Sequence, residues 1–115
     1  MTIIYHLSTR AAWQAAAAVG AYTADSLVSE GFIHCSTAQQ VRATAARIFA
    51  GRTDLILLCV DSARVGVEIR YENREGGDNL FPHIYGPLAV AAVVAVDDFP
   101  PRDDGCFDWP PGLPL

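Results

Sequence analysis

At 115 residues the chain is long enough for one domain around one hydrophobic core, and with 51% apolar and 18% charged residues it is globular in composition. No stretch nears the roughly 18 uninterrupted apolar residues of a membrane span. Its net charge of −5, with arginine as the only strong base and no basic stripe, excludes general DNA or RNA binding, which needs clustered cations to displace counterions; a small nucleotide held by local donors is not excluded.

Thr2 to Leu7 reads as a first strand, with Ile3, Tyr5 and Leu7 on one face and Ile4 and His6 on the other. Ser8 or Thr9 caps a helix over roughly Arg10 to Ala18, rich in alanine, with Trp13, Ala16 and Ala17 as its packing face and Gly20 as its stop. Thr23 to Ser29 is expected to form a short helical turn capped by Thr23. Phe32 to Cys35 reads as a second strand, followed at Ser36 by a helix start. Ser36 and Gln39 have capping-box spacing, and Val41, Ala45, Ile48 and Phe49 repeat at helical intervals. A strand that ends where a helix N-terminus opens is a place for an anion.

Leu55 to Val60 is apolar on both faces, the pattern of a central strand covered from both sides. Val67, Ile69 and Tyr71 alternate with Glu68, Arg70 and Glu72, giving a strand with one wet face, and Asn73 to Asn79 is a polar loop. In Leu80 to Tyr85 the side chains of Phe81, His83 and Tyr85 share a side, and Pro82, without an N–H, points to a sheet edge or strand start. Val90 to Asp97 is a further apolar strand. Residues 99–115 are a proline-rich extended tail that Phe107 and Trp109 are expected to pin to the body. The expectation is one domain, 1–115, of α+β class, built on a compact split sheet, mixed or mostly antiparallel, with two to three helices. The opening residues lack a basic region ahead of an apolar stretch, which points away from a signal peptide and to the cytoplasm. Cys35, Cys59 and Cys106 are widely spaced, so neither a disulfide framework nor a thiolate zinc site follows.

The chemistry-bearing residues are the three histidines, His6, His34 and His83, each at a strand end or entry and each beside an aromatic. Meeting in one cleft, they would offer proton donors and acceptors near neutral pH. Three imidazoles are also a ligand set for a divalent metal with an open fourth position, the alternative reading, although the spacing 6, 34, 83 carries no metal signature. No serine elbow or Cys–His nucleophile motif occurs, and adjacent strand residues such as His34 and Cys35 face opposite ways. Of the carboxylates Glu72 and Glu75, Glu72, before the glycine loop, is the better candidate.

Ile4-Tyr5-His6-Leu7 with Trp13, Gly31-Phe32-Ile33-His34-Cys35-Ser36-Thr37 with Gln39, Tyr71-Glu72, and Phe81-Pro82-His83-Ile84-Tyr85-Gly86-Pro87-Leu88 together resemble the bacterial domain-of-unknown-function family nine-five-two, over nearly the whole chain to about Phe99. That family is similar in fold to the ADP-ribosyltransferase superfamily, which includes mono-ADP-ribosyltransferases, poly-ADP-ribose polymerases and RNA 2′-phosphotransferases. The resemblance implies a split sheet with a cleft for NAD, ADP-ribose or a related nucleotide or phosphate. It implies His6 at the first-strand site on ribose or nicotinamide amide, His34 on ribose or stacked on nicotinamide, and Phe81, Pro82 or His83 near a third site. Transferases carry a glutamate at that third site and this chain does not. Phosphotransferase members use basic side chains instead, here His6, His34, His83 and one of Arg10 or Arg70. The candidate set is His6, His34 and His83 for catalysis, and Ser36, Thr37, Tyr85, Phe32 and Glu72 for binding a small-molecule nucleotide or phosphate. A non-catalytic nucleotide-binding or interaction module is the companion alternative.

Overall fold

A computed structural model describes residues 2–111 and 113. In chain order the elements are β1 (Ile3–Thr9), α1 (Arg10–Val19), β2 (Ala21–Tyr22), α2 (Asp25–Ser29), β3 (Ile33–His34), α3 (Val41–Ile48), β4 (Leu55–Asp61), β5 (Ile69–Glu72), β6 (Phe81–Ile84), β7 (Leu88–Ala89) and β8 (Val93–Asp98). Single 3-10 turns at Ser62–Arg64 and Val90–Ala92 lead out of β4 and into β8. The architecture is α+β, with antiparallel sheets ordered β1-β4-β8, β2-β7 and β3-β6-β5. Every pairing among the described strands is antiparallel, so the mixed variant of the expected sheet does not apply. No helix among the described residues is long and apolar enough to cross a membrane.

β4 is buried along its whole length because its two faces feed two separate cores. Ile56, Leu58 and Val60 join Ile4 and pack with Ile33, Ile84, Leu88 and Tyr22. Leu55, Leu57 and Cys59 join Tyr5 and Leu7 and pack with Val41 and Ala45 of α3 and with Phe99 and Phe107. Period-two alternation therefore sends successive residues of one strand into opposite layers. The small sheets and α1 cover one side, and α3 with the C-terminal tail covers the other. Phe99 and Phe107 stack with centroids 5.2 Å apart, and Trp109 meets Tyr5 edge-on at 5.2 Å, so the tail is pinned as expected.

α1 follows the sequence closely. Thr9 Oγ1 accepts from Ala12 N–H at 3.1 Å, and Gly20 ends the helix at φ 87°, where a side chain is disfavoured. Three local expectations need correction. The turn after Tyr22 begins at Asp25 with Ala24 at its cap, so Thr23 does not cap it. The capping box sits one residue downstream of Ser36 and Gln39: Thr37 N–H donates to Gln40 Oε1 at 2.9 Å, and α3 begins only at Val41. Pro82 lies in the middle strand of its sheet rather than at an edge. Its carbonyl accepts from Cys35 N–H at 3.0 Å just past the end of β3. Since N and C=O of a strand residue face the same way, the ring stands where β3 has already stopped pairing, and its missing N–H breaks no ladder bond within that strand.

Candidate functional site

β1 and the segment after β3 are joined by a bridge in which Tyr5 N–H donates to Ser36 C=O at 2.8 Å and Ser36 N–H to Tyr5 C=O at 2.7 Å. This bridge ties the β1-β4-β8 sheet to the β3-β6-β5 sheet. Between them opens a cavity of about 330 Å³, at the small end of the range for ligand sites. His6, His34 and His83 all line it, with Ser36 and Glu72. Three residues far apart in the chain thus share one wall system, by the pairing of short strands.

The three rings differ in what they can do there. His6 Nδ1 lies 2.6 Å from His34 C=O, so this nitrogen carries the proton, and Nε2 accepts from Tyr22 O–H at 2.9 Å. Ser8 Oγ, 2.9 Å from the Tyr22 oxygen, donates in turn. Burial drives the His6 pKa down to about 4, so the ring is neutral at pH 7 with both nitrogens engaged inside the protein. His34 stands directly opposite His83 in the β3–β6 ladder, with centroids 5.0 Å apart edge to face, and its Nε2 is 2.8 Å from Glu30 Oε2. His83 Nδ1 is 3.0 Å from Glu72 Oε1. The Tyr85 hydroxyl bonds the same carboxylate oxygen. That bond, and then His83, hold the Glu72 carboxyl below its ordinary range, while Glu72 pushes the Tyr85 phenol up.

Phe32, Tyr85 and Thr37 do not line the cavity. Phe32 is buried behind it, stacked on His83 at 4.2 Å and 18°. Tyr85 sits behind Glu72, and Thr37 turns its backbone to Gln40. The N–H groups expected to receive an anion at the Ser36 helix start are consumed: Ser36 N–H by Tyr5, Thr37 N–H by Gln40, and those of Gln40 and Val41 by Thr37 C=O. Positive charge comes from elsewhere. Arg10 pairs with Asp98, and Arg70 pairs with Glu68 and lies 4.6 Å over the Tyr85 ring. Arg47 of α3 and Arg74 of the loop line the cavity instead, and neither makes an ion pair with a described residue. Sequence reasoning missed both; the signal available was helical spacing from Val41 for Arg47, and two residues past Glu72 for Arg74.

Cys35 also lines the cavity, but burial pushes its thiol far up, so it stays protonated and is a poor nucleophile. Among the described residues no three His, Cys, Asp or Glu side chains are grouped to hold a metal ion. The internal engagement of both His6 nitrogens is the physical reason the three imidazoles do not form a ligand set.

The comparisons with known proteins agree with this geometry. Structures of protein CC0527 from Caulobacter crescentus superpose on the chain. The crystal structure of that protein and the crystal structure of a double mutant of it each give a TM-score of 0.83 at 37% identity, covering 93% of this chain and 94% of that one. The solution NMR structure gives 0.80 at 38% identity, covering 92% and 91%. No curated protein sequence matches. The model of the family described as "Protein of unknown function (DUF952)" matches residues 7–96, and the chain belongs to that family.

Proposed function

We propose that the cleft binds a small nucleotide of the NAD or ADP-ribose type, on a scaffold of the ADP-ribosyltransferase-like class. One observation carries the reading: a single cavity between two sheets gathers three imidazoles and two arginines that make no ion pair with a described residue. Phosphate charge is met by Arg47 and Arg74, and sugar or amide groups by His34, His83 and the Ser36 hydroxyl. His6 acts by holding the backbone of His34 in place, since its own nitrogens are taken. The likeness to the superfamily is supported by the convergence of the motifs around His6, His34 and His83 on one split-sheet cleft. A cytoplasmic setting is part of the proposal and suits three free cysteines.

A non-catalytic form has one observation in its favour: Phe81-Pro82-His83 puts no glutamate where transferases of NAD carry one. The experiment reads both forms. Thermal unfolding with ADP-ribose or NAD is expected to shift upward, about 2.7 kcal/mol at a hundred times the dissociation constant. An Arg47→Ala/Arg74→Ala double variant is expected to lose the shift. Release of nicotinamide from NAD marks catalysis, and its absence beside a robust shift marks binding alone. No stabilisation by either ligand overturns the reading.

A further inference from the structure

The cross-strand pair His34 and His83 presents two imidazoles, each backed by a carboxylate. The two pairs are not equivalent. His34 and Glu30 are both half exposed, an ordinary surface pair. The His83 side chain is only 4% exposed and that of Glu72 23%, and the ring is fixed on several sides. Phe32 stacks on it, Glu72 takes Nδ1, and Tyr85 bonds the same Glu72 oxygen with Arg70 over its ring. Glu72 reaches His83 diagonally across the β5–β6 ladder, in which Arg70 is directly opposite His83 and Glu72 lies two residues on.

A carboxylate only accepts, so the neutral ring carries its proton on Nδ1 and leaves a lone pair on Nε2. Among the described residues no group bonds Nε2, yet no buried side-chain nitrogen or oxygen lacks a partner. Nε2 is therefore the atom of this ring that reaches the cavity His83 lines.

We infer that Glu72, Tyr85 and Phe32 hold His83 as an Nδ1–H imidazole whose Nε2 is the fixed proton acceptor of the cleft. It accepts a hydrogen bond from a ligand hydroxyl or amide N–H, while Glu72 offsets the positive charge this draws onto the ring. Glu72 is a positioning residue and His83 the contact. A carboxylate behind a histidine has the same two effects, orientation and charge balance, in serine-protease triads. The ligand half of the inference rests on the nucleotide reading above; the statement about the ring does not.

Nitrogen-15 NMR of the imidazoles and mapping of diethyl pyrocarbonate modification, which needs an unprotonated accessible nitrogen, test the two halves separately. In the wild-type protein His83 is expected to show the Nδ1–H tautomer and to be modified severalfold faster than His6, the internal control. Glu72→Ala is expected to lose the tautomer bias and slow modification of His83 severalfold. Tyr85→Phe, which leaves the carboxylate in place, keeps the tautomer and serves if the alanine variant does not fold. An Nε2–H tautomer in the wild type, or ring shifts unchanged in a folded Glu72→Ala, overturns the inference. Saturating ADP-ribose is expected to move the His83 Nε2 resonance and protect it from the reagent. Binding of ADP-ribose that leaves His83 untouched overturns the ligand half. An intact tautomer with no ADP-ribose binding supports the ring assignment and rejects the nucleotide reading instead.

Discussion

His6 shows how one side chain is set by its surroundings rather than by its type. Its ring connects β1 to the backbone of His34 and, through Tyr22, to β2. Because burial holds its pKa at about 4, against 6.5 when unfolded, the unfolded chain binds the extra proton between those values. The stability this neutral ring contributes is therefore complete above pH 6.5 and is lost as pH falls toward 4. The gap, at about 1.4 kcal/mol per pH unit, is worth about 3 kcal/mol in full and about 2 kcal/mol by pH 5. Urea unfolding at pH 7.5 and pH 5 is expected to show that loss in the wild type, with a flatter profile in His6→Asn, which cannot titrate. Tyr22→Phe leaves Nε2 without its donor and strands the Ser8 hydroxyl, so a loss of about 1–3 kcal/mol at pH 7.5 is expected in the same assay.

Elements were legible where their signals are local. Thr9, the alanine run and Gly20 define α1 within a dozen residues, and the unbroken apolar run of β4 announces a strand covered on both faces. Thr9→Ala is expected to cost about 1 kcal/mol, read by thermal or urea unfolding. What failed to show were elements made by distant pairing. β2 and β7 are two residues each and exist because Ala21 and Tyr22 meet Ala89 and Leu88, which no window of sequence reveals. The capping box moved from Ser36 to Thr37 because Ser36 was claimed by the bridge to Tyr5, a contact outside the helix. Gln40 gains a second task from that shift: its Nε2 donates to Asn79 Oδ1 and to Leu80 C=O, both at 2.7 Å. It thereby anchors the far end of the loop that carries Arg74. Gln40→Ala is expected to leave global stability nearly unchanged, to speed amide exchange across residues 73–80, and to weaken nucleotide binding.

At the scale of the molecule, the division of the core by β4 separates what holds the fold from what lines the cleft. The histidines were legible as candidates because they are few, and their convergence needed the β3–β6 and β1–Ser36 pairings to be realised. The arginines were not, since Arg47 and Arg74 come from a helix and a polar loop whose orientation only the packed molecule defines. The same division makes the role of the tail testable. Phe107 is buried against Phe99, and Trp109 lies on Tyr5 with its Nε1 donating to Leu113 C=O at 2.9 Å. None of these tail residues lines the cavity, so the tail is a cover for the second core and not for the cleft. Phe107→Ala removes a buried ring from a stacked pair and is expected to lower stability by about 3–5 kcal/mol in urea unfolding. Nucleotide affinity, measured by calorimetry at a temperature where the variant is still folded, is expected to match the wild type. An affinity that falls together with stability would mean that the two cores communicate through β1, whose Tyr5 lines the cavity on one side of the strand junction and meets Trp109 on the other.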